Sequence, residues 1–353
     1  MSERSGLDTP AVAGPPSCEP HSAFPQTASA LLDRLGPPHG LVSEVQPIRR
    51  ILEPLPTVPI ETSVSLGPNA RRELRLTLAI PPRLEDPQGR GALVAALSAL
   101  GAERVSTTAD DALAMVAPAP RERQPVRSVA LRVRAREPVR PRPGARVGGR
   151  SAAERSARAG DAMRSLGLDR TAAVHERLSA ELAGNPFNAA VLYGLGFDLG
   201  PDRALGAKTY FACEWPDVAF EVLRCRLAED FGLEGVEAVE LLAASACAGW
   251  RRTRWLLEVS FELPADPASG IRAKAYISAR HLASNEAEAY KVMLRIASEL
   301  GLDHEPYEQL VKAVRPDGLI PERPCSLRAG VSASQSGASL EVYLFDPARF
   351  TAT

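Results

Sequence analysis

The sequence predicts an α+β fold: about ten antiparallel strands closed around a central lumen, with an outer ring of helices. Three observations carry this. From residue 151 onward the chain reads helix, helix, strand, strand three times over, with a period of roughly 65 residues. The second strand of each unit carries one phrase: Ala207-Lys208-Thr209-Tyr210-Phe211, then Ala273-Lys274-Ala275-Tyr276-Ile277, then Leu340-Glu341-Val342-Tyr343-Leu344 with glutamate in place of lysine. The strands alternate between an apolar and a polar side, and successive antiparallel hairpins can close on themselves, which removes exposed edges.

Taken in order, residues 1–26 read as a disordered tail, with Pro10, Pro15, Pro16, Pro20 and Pro25 and little to bury. Residues 27–349 form a single barrel domain in this reading. A short helix over Thr27–Leu35 stops at Gly36-Pro37-Pro38. A hairpin follows: Val58–Leu66, a turn at Gly67-Pro68-Asn69, and Glu73–Ile80. Gly91–Leu100 reads as a helix ended by Gly101, and Ala112–Val116 as a weak strand. Arg127–Arg136 alternates strictly, with Val129, Leu131 and Val133 on one side and Arg132, Arg134 and Arg136 on the other. Residues 137–150, rich in Pro, Arg and Gly, read as a flexible basic loop. Between Arg121 and Arg150 there are ten arginines and two glutamates, read as solvated charge with a polyanion patch as the alternative.

The three repeats then place helices at 151–166 and 170–183 and a hairpin at 190–198 with 206–213. Helices at 217–231 and 235–248 and a hairpin at 254–263 with 271–279 follow. The last unit has helices at 285–300 and 304–314 and a hairpin at 325–334 with 338–345. The apolar side holds residues such as Leu74, Leu76, Leu78, Val259, Phe261, Leu340 and Val342. The polar side holds Glu61, Ser63, Arg75, Thr77, Glu258, Glu262, Lys274, Tyr276, Arg328 and Tyr343.

Composition narrows the classes. The formal net charge is −1 over 353 residues, which argues against a nucleic-acid partner. No apolar run approaches the ~20 residues of a membrane span. The five cysteines are scattered without a C-x-x-C pair, as expected of free thiols in a reducing cytoplasm. A monomer is expected. Gly194-x-Gly196-x-x-x-Gly200 precedes a strand and so lacks the helix N-terminus a dinucleotide needs. Asp110-Asp111 is followed by Ala-Leu-Ala, which excludes the aspartate-rich motif that holds magnesium in all-helical isoprenoid synthases. The histidines show no metal-ligand spacing.

Residues i and i+2 of a strand share a face, so each lysine sits beside its tyrosine. A strand lysine met once is usually solvated, and a tyrosine pair can be plain cross-strand packing. Recurrence of both in successive hairpins points to a sheet wrapped around an anionic ligand.

Repeated ααββ units with Lys-x-Tyr on the second strand resemble the ABBA-type prenyltransferases, over about residues 58–345. Within them, Pro59-Ile60-Glu61-Thr62-Ser63 looks like the first strand of the cyanobactin-type peptide prenyltransferases. The resemblance implies an enzyme that moves a dimethylallyl or geranyl group from its diphosphate to a side chain of a ribosomal, cyclic peptide. A small free phenol or indole is the alternative acceptor. A barrel that only binds a ligand or peptide is the non-catalytic alternative. The resemblance implies Glu61 as catalytic base, with Glu258 and Glu341 as rivals. Arg75, Arg132, Lys208, Lys274 and Arg328 would hold the diphosphate, and Tyr210, Tyr276 and Tyr343 would shield the allyl cation. Magnesium would enter bound to the diphosphate rather than to a protein site. Gly194, Gly196 and Gly330 are expected to leave room for a longer prenyl chain.

Overall fold

A computed structural model describes residues 27–55, 58–67, 73–80, 90–118, 127–183, 190–214, 256–266, 269–278, 283, 285–315, 327–334 and 337–345. The strands are β1 (Val58–Leu66), β2 (Glu73–Ile80), β3 (Arg127–Arg134), β4 (Arg140–Arg146), β5 (Val191–Leu199), β6 (Ala204–Glu214), β7 (Leu256–Pro264), β8 (Arg272–Ser278), β9 (Leu327–Ser334) and β10 (Gly337–Phe345). They form one closed barrel in which every neighbour is antiparallel and consecutive in sequence, apart from the closing pair β1–β10. Six residue pairs, Glu61↔Phe345 to Leu66↔Leu340, close it.

The helices are α1 (Ala28–Leu35), α2 (Val42–Leu52), α3 (Arg90–Leu97), α4 (Glu103–Val116), α5 (Ala152–Ser165), α6 (Asp169–Ala183), α7 (Glu286–Glu299) and α8 (Glu305–Val314). Side-chain caps fix three starts: Thr27, Ser151 and Asn285 accept from the backbone N–H three residues on, at 3.1, 3.1 and 2.9 Å. The core lies between helices and barrel. Leu74, Leu76, Leu78, Val129, Val133, Phe211, Val259, Leu340 and Val342 of the strands are buried, as are Leu31, Leu97, Leu113, Met163, Met293 and Leu310 of the helices. At about 25 cal/mol per Å² of apolar surface, this shared layer is the main favourable term of the fold.

Three expectations are corrected. Ala112–Val116 is the last turn of α4, not a strand. Ala109, Ala112, Leu113 and Val116 are buried on one side of it, the i, i+3, i+4, i+7 spacing of a helix. Gly101, at φ +89°, breaks the helical path between α3 and α4, as expected of a residue that ends a helix. Residues 137–150 are not a loop: Arg140–Arg146 is β4. Pro141, Pro143 and Ala145 are buried, and Arg142 alternates with them. Pro141 and Pro143 pair with Leu131 and Val129 of β3. Both fall outside the ladder to β5, which covers only Gly144–Arg146, so their missing N–H groups cost that ladder nothing. Nor is this basic segment simply solvated. Arg127, 2% exposed, is ion-paired to the buried Asp110 of α4. The helices expected at 217–231 and 235–248, and the tail 1–26, lie outside the described residues. No helix among those described is long and apolar enough to cross a membrane.

Asp110 also holds Arg90 at 2.6 Å, tying α3, α4 and β3 together. Asp110→Ala leaves a guanidinium buried without its carboxylate, which costs about 3–5 kcal/mol. Chemical denaturation should show that loss, and a change under 1 kcal/mol, roughly the worth of a surface pair, would refute it.

Candidate active site

Closure turns one side of every strand inward. The pairing then lays the polar residues in rows across the wall. Ser63, Arg75, Arg132 and Arg140 follow one another from β1 to β4. Glu262 lies across from Lys208, and Ser260 stands between Tyr210 and Lys274. Tyr276 has Glu258 on one side and Gly330 on the other, and Arg328 faces Tyr343. A cavity of about 310 Å³ results. Of the nine residues expected to form the site, eight line it: Glu61, Arg75, Arg132, Lys208, Tyr210, Tyr276, Arg328 and Tyr343. Lys274 does not line it. It is 6% exposed and reaches Glu341 and, at 3.4 Å, the Tyr343 hydroxyl.

Each of the expected cations already has a carboxylate. Glu73 accepts from Arg75 at 2.6 Å, Arg132 at 2.9 Å and Arg134 at 2.5 Å. Glu341 holds Arg75, Lys274 and the Tyr343 hydroxyl at once. Glu262 takes Lys208 at 3.2 Å and Arg142 at 3.3 Å, while Asp198 grips Arg142 through two bonds of 2.6 and 2.9 Å. Glu258 accepts from Arg328 at 2.6 Å and from the Tyr193 hydroxyl at 2.7 Å. These pairings set the protonation states. Burial works against the charge on Glu341, but Arg75 and Lys274 reverse it and hold the carboxyl down at about 2. Burial likewise opposes Glu262, yet Lys208 and Arg142 keep it well below the usual range. Glu61 behaves differently. Among the described residues its one side-chain hydrogen bond is a long one from Thr77, 3.3 Å, and burial raises its pKa, with Arg328 opposing and Glu258 adding to the rise.

The rings carry the cations on their faces. The Arg328 guanidinium stands 4.2 Å from the centre of Tyr276 and 5.6 Å from that of Tyr343. The Lys208 ammonium is 5.3 Å from Tyr210 and 5.8 Å from Tyr276, and Lys274 is 5.9 Å from Tyr276. Tyr276 and Tyr343 meet edge to face at 5.7 Å. The Tyr276 hydroxyl lies 3.0 Å from Ser260 Oγ. Burial keeps the Tyr276 and Tyr343 hydroxyls protonated far into the alkaline range, so both remain donors. Gly330 makes this stack possible, because a Cβ there would lie 2.9 Å from the Tyr276 ring and 3.1 Å from Tyr343. At Gly194 it would meet Tyr210 at 3.2 Å, and at Gly196 it would meet Arg142 at 3.3 Å. The three glycines therefore do not open room for a longer ligand. Neighbouring side chains already fill it.

Arg142, Asp198, Tyr193 and Glu73 are site residues the sequence reading misses. Arg142 was hidden in a segment read as a loop. The parity of Arg140 and Arg142 against Pro141, Pro143 and Ala145 is the signal that marks it. Glu258, Glu262 and Glu341 are each engaged by cations, and among the described residues no group of three or more His, Cys, Asp or Glu is arranged to hold a metal ion. Among the described residues these carboxylates, already neutralised by guanidinium and ammonium groups, do not suit a resident magnesium.

No protein-family model matches the chain, and no curated protein matches it. Solved structures do. The 5-dimethylallyltryptophan synthase of Streptomyces coelicolor superposes with a TM-score of 0.64 at 19% identity, over 91% of this chain and 96% of that one. The 6-dimethylallyltryptophan synthase of Micromonospora olivasterospora, in complex with DMASPP and Trp, gives 0.64 at 17%, over 91% and 96%. AnaPT of Neosartorya fischeri gives 0.62 at 15%, over 91% and 92%. The fold is the ABBA prenyltransferase barrel. At these identities the likeness speaks to the fold.

Within the ABBA barrel, Lys274 offers a direct test of the electrostatics. Burial lowers it to about 7, with Arg75 and Lys208 adding to the fall and Glu341 opposing it. NMR titration of the lysine side chains should show one midpoint at about 7 that is lost in Lys274→Arg. Glu341→Gln should move it lower, since an anion that favoured the charged form is gone. A midpoint near the ordinary ~10.4 would contradict this.

Proposed function

We propose that this barrel transfers an allylic group, dimethylallyl or geranyl, from its diphosphate to a small aromatic acceptor. The observation that carries the reading is the convergence of Arg75, Arg132, Lys208 and Arg328 with Tyr210, Tyr276, Tyr343 and Glu61 on one cavity. Ionisation breaks the donor's C–O bond and leaves the electron pair on diphosphate oxygen. Fixed cations and the Tyr276 and Tyr343 hydroxyls stabilise that growing charge without having to reorganise. The allyl cation meets tyrosine faces that already accommodate ammonium and guanidinium groups, at roughly 0.5–2 kcal/mol per contact. An electron-rich ring carbon of the acceptor then forms the new C–C bond. Glu61 takes the proton lost from that carbon. Its raised proton affinity suits a base of this kind.

Two of the structures that share the fold are named for dimethylallyl transfer to tryptophan. This supports the aromatic acceptor over the ribosomal peptide expected from the Pro59–Ser63 phrase. Magnesium, if used, arrives with the diphosphate.

Mass spectrometry after incubation with dimethylallyl or geranyl diphosphate and a panel of indoles, phenols and cyclic peptides should show one prenyl group in place of a proton on an aromatic acceptor. Glu61→Gln should lower the rate by about 10²–10⁴ while diphosphate binding persists. Because the base works ionised and its pKa is raised, the rate should fall on acidification through a midpoint above the ordinary carboxylate value of 4.5, and Glu61→Gln should abolish that limb. Diphosphate binding without product on any acceptor, or with Glu61 dispensable for product, would favour a ligand-binding barrel or another base.

A further inference from the structure

The third Lys-x-Tyr phrase departs from the other two at one position. Lys208 and Lys274 are followed in the series by Glu341. That glutamate is 2% exposed and bonded to Arg75, Lys274 and the Tyr343 hydroxyl. Arg75 and the Tyr343 hydroxyl are among the groups that the proposed function assigns to the donor, and Lys274 adjoins them through Glu341. Around them, Glu73 shares Arg75, Glu262 shares Lys208, and Glu258 shares Arg328. A carboxylate therefore makes the contacts that a phosphoryl oxygen would make: a guanidinium, an ammonium and a phenol.

We infer that Glu341 is a resident anion of the donor site, a stand-in that the diphosphate must displace from Arg75 and Lys274, and so a determinant of donor affinity. The inference rests on the prenyl-transfer reading. Like charges at one site repel, so an ionised Glu341 cannot stay on the same guanidinium as a bound diphosphate without cost. The same exchange in reverse favours departure of product diphosphate, because Glu341 returns to Arg75 and Lys274 as the phosphate leaves. A glutamate that only braced the wall would act with the opposite sign: its removal would loosen the site and weaken binding.

The test is calorimetric titration of inorganic diphosphate into the full chain. Removing Glu341 lowers the proton affinity of Lys274, so the decisive comparison is made where that charge is fixed: Lys274→Arg against Lys274→Arg with Glu341→Gln. Loss of Glu341 should tighten diphosphate about tenfold, within the usual range of coupling between sites, and should lower the donor KM. Unchanged or weaker binding by the folded double variant would overturn the inference while leaving prenyl transfer intact. Absence of diphosphate binding in the wild-type chain would instead remove the prenyl-transfer reading, and this inference with it. Should the double variant not fold, a crystal structure of the wild-type chain with diphosphate decides. Glu341 released from Arg75 supports displacement, and an intact Glu341–Arg75 pair beside bound diphosphate refutes it.

Discussion

Closure of the sheet is the constraint from which the rest follows. Once β1 pairs with β10, no strand has a free edge, and every second residue of ten strands points into one enclosed space. An open sheet could leave those side chains in water. A closed one must satisfy them from within, because a buried charge without a partner costs several kcal/mol. The interlocked pairs of the lumen are the outcome. Glu73 collects three arginines, Glu341 collects three donors, and Glu262 with Asp198 divides Arg142. Apart from Arg75–Glu73 within β2 and Tyr343–Glu341 within β10, these pairs join different strands, so the polar network also fixes the register that created it.

The apolar side of the same strands makes the complementary demand. Leu74, Leu76 and Leu78 alternate with Arg75 and Thr77. A slip of one residue would bury the arginine under the helices and turn the leucines into the lumen. Helices and lumen thus enforce one register from opposite sides. The buried Asp110–Arg127 pair repeats the principle outside the barrel, where α4 meets the first residue of β3.

Much of this was legible in the residues, and the failures have physical causes. Alternation and the repeated phrase were sufficient for the strands from β5 to β10 and for eight of the nine residues expected to form the site, since period-two patterning is a direct consequence of pleat geometry. β4 was not legible by propensity, because Pro141 and Pro143 argue against a strand. Burial of both rings and their position beyond the β5 ladder outweighed that preference. Ala112–Val116 misled because five residues are too few to separate a strand from the end of a helix. The carboxylate partners escaped for another reason. Glu73 sits at a strand start and Glu341 is read there as a rival base rather than as a partner of Arg75, and pairing between residues far apart in the chain is set by closure, which no local pattern encodes.

The glycines show how one constraint reshapes another. Gly194 and Gly330 suggest empty space when read alone. In the barrel each lies directly across from a tyrosine, Tyr210 and Tyr276, and the ring covers the missing side chain. The rings packed against these glycines have cations over their faces, Lys208 over Tyr210 and Arg328 over Tyr276. Gly330, pressed by both Tyr276 and Tyr343, therefore helps to orient the π-faces over which Arg328 sits. Removal of a side chain at this position creates not volume but orientation. A cation-stabilising surface needs orientation more, because the quadrupole attracts charge over the face and repels it at the edge.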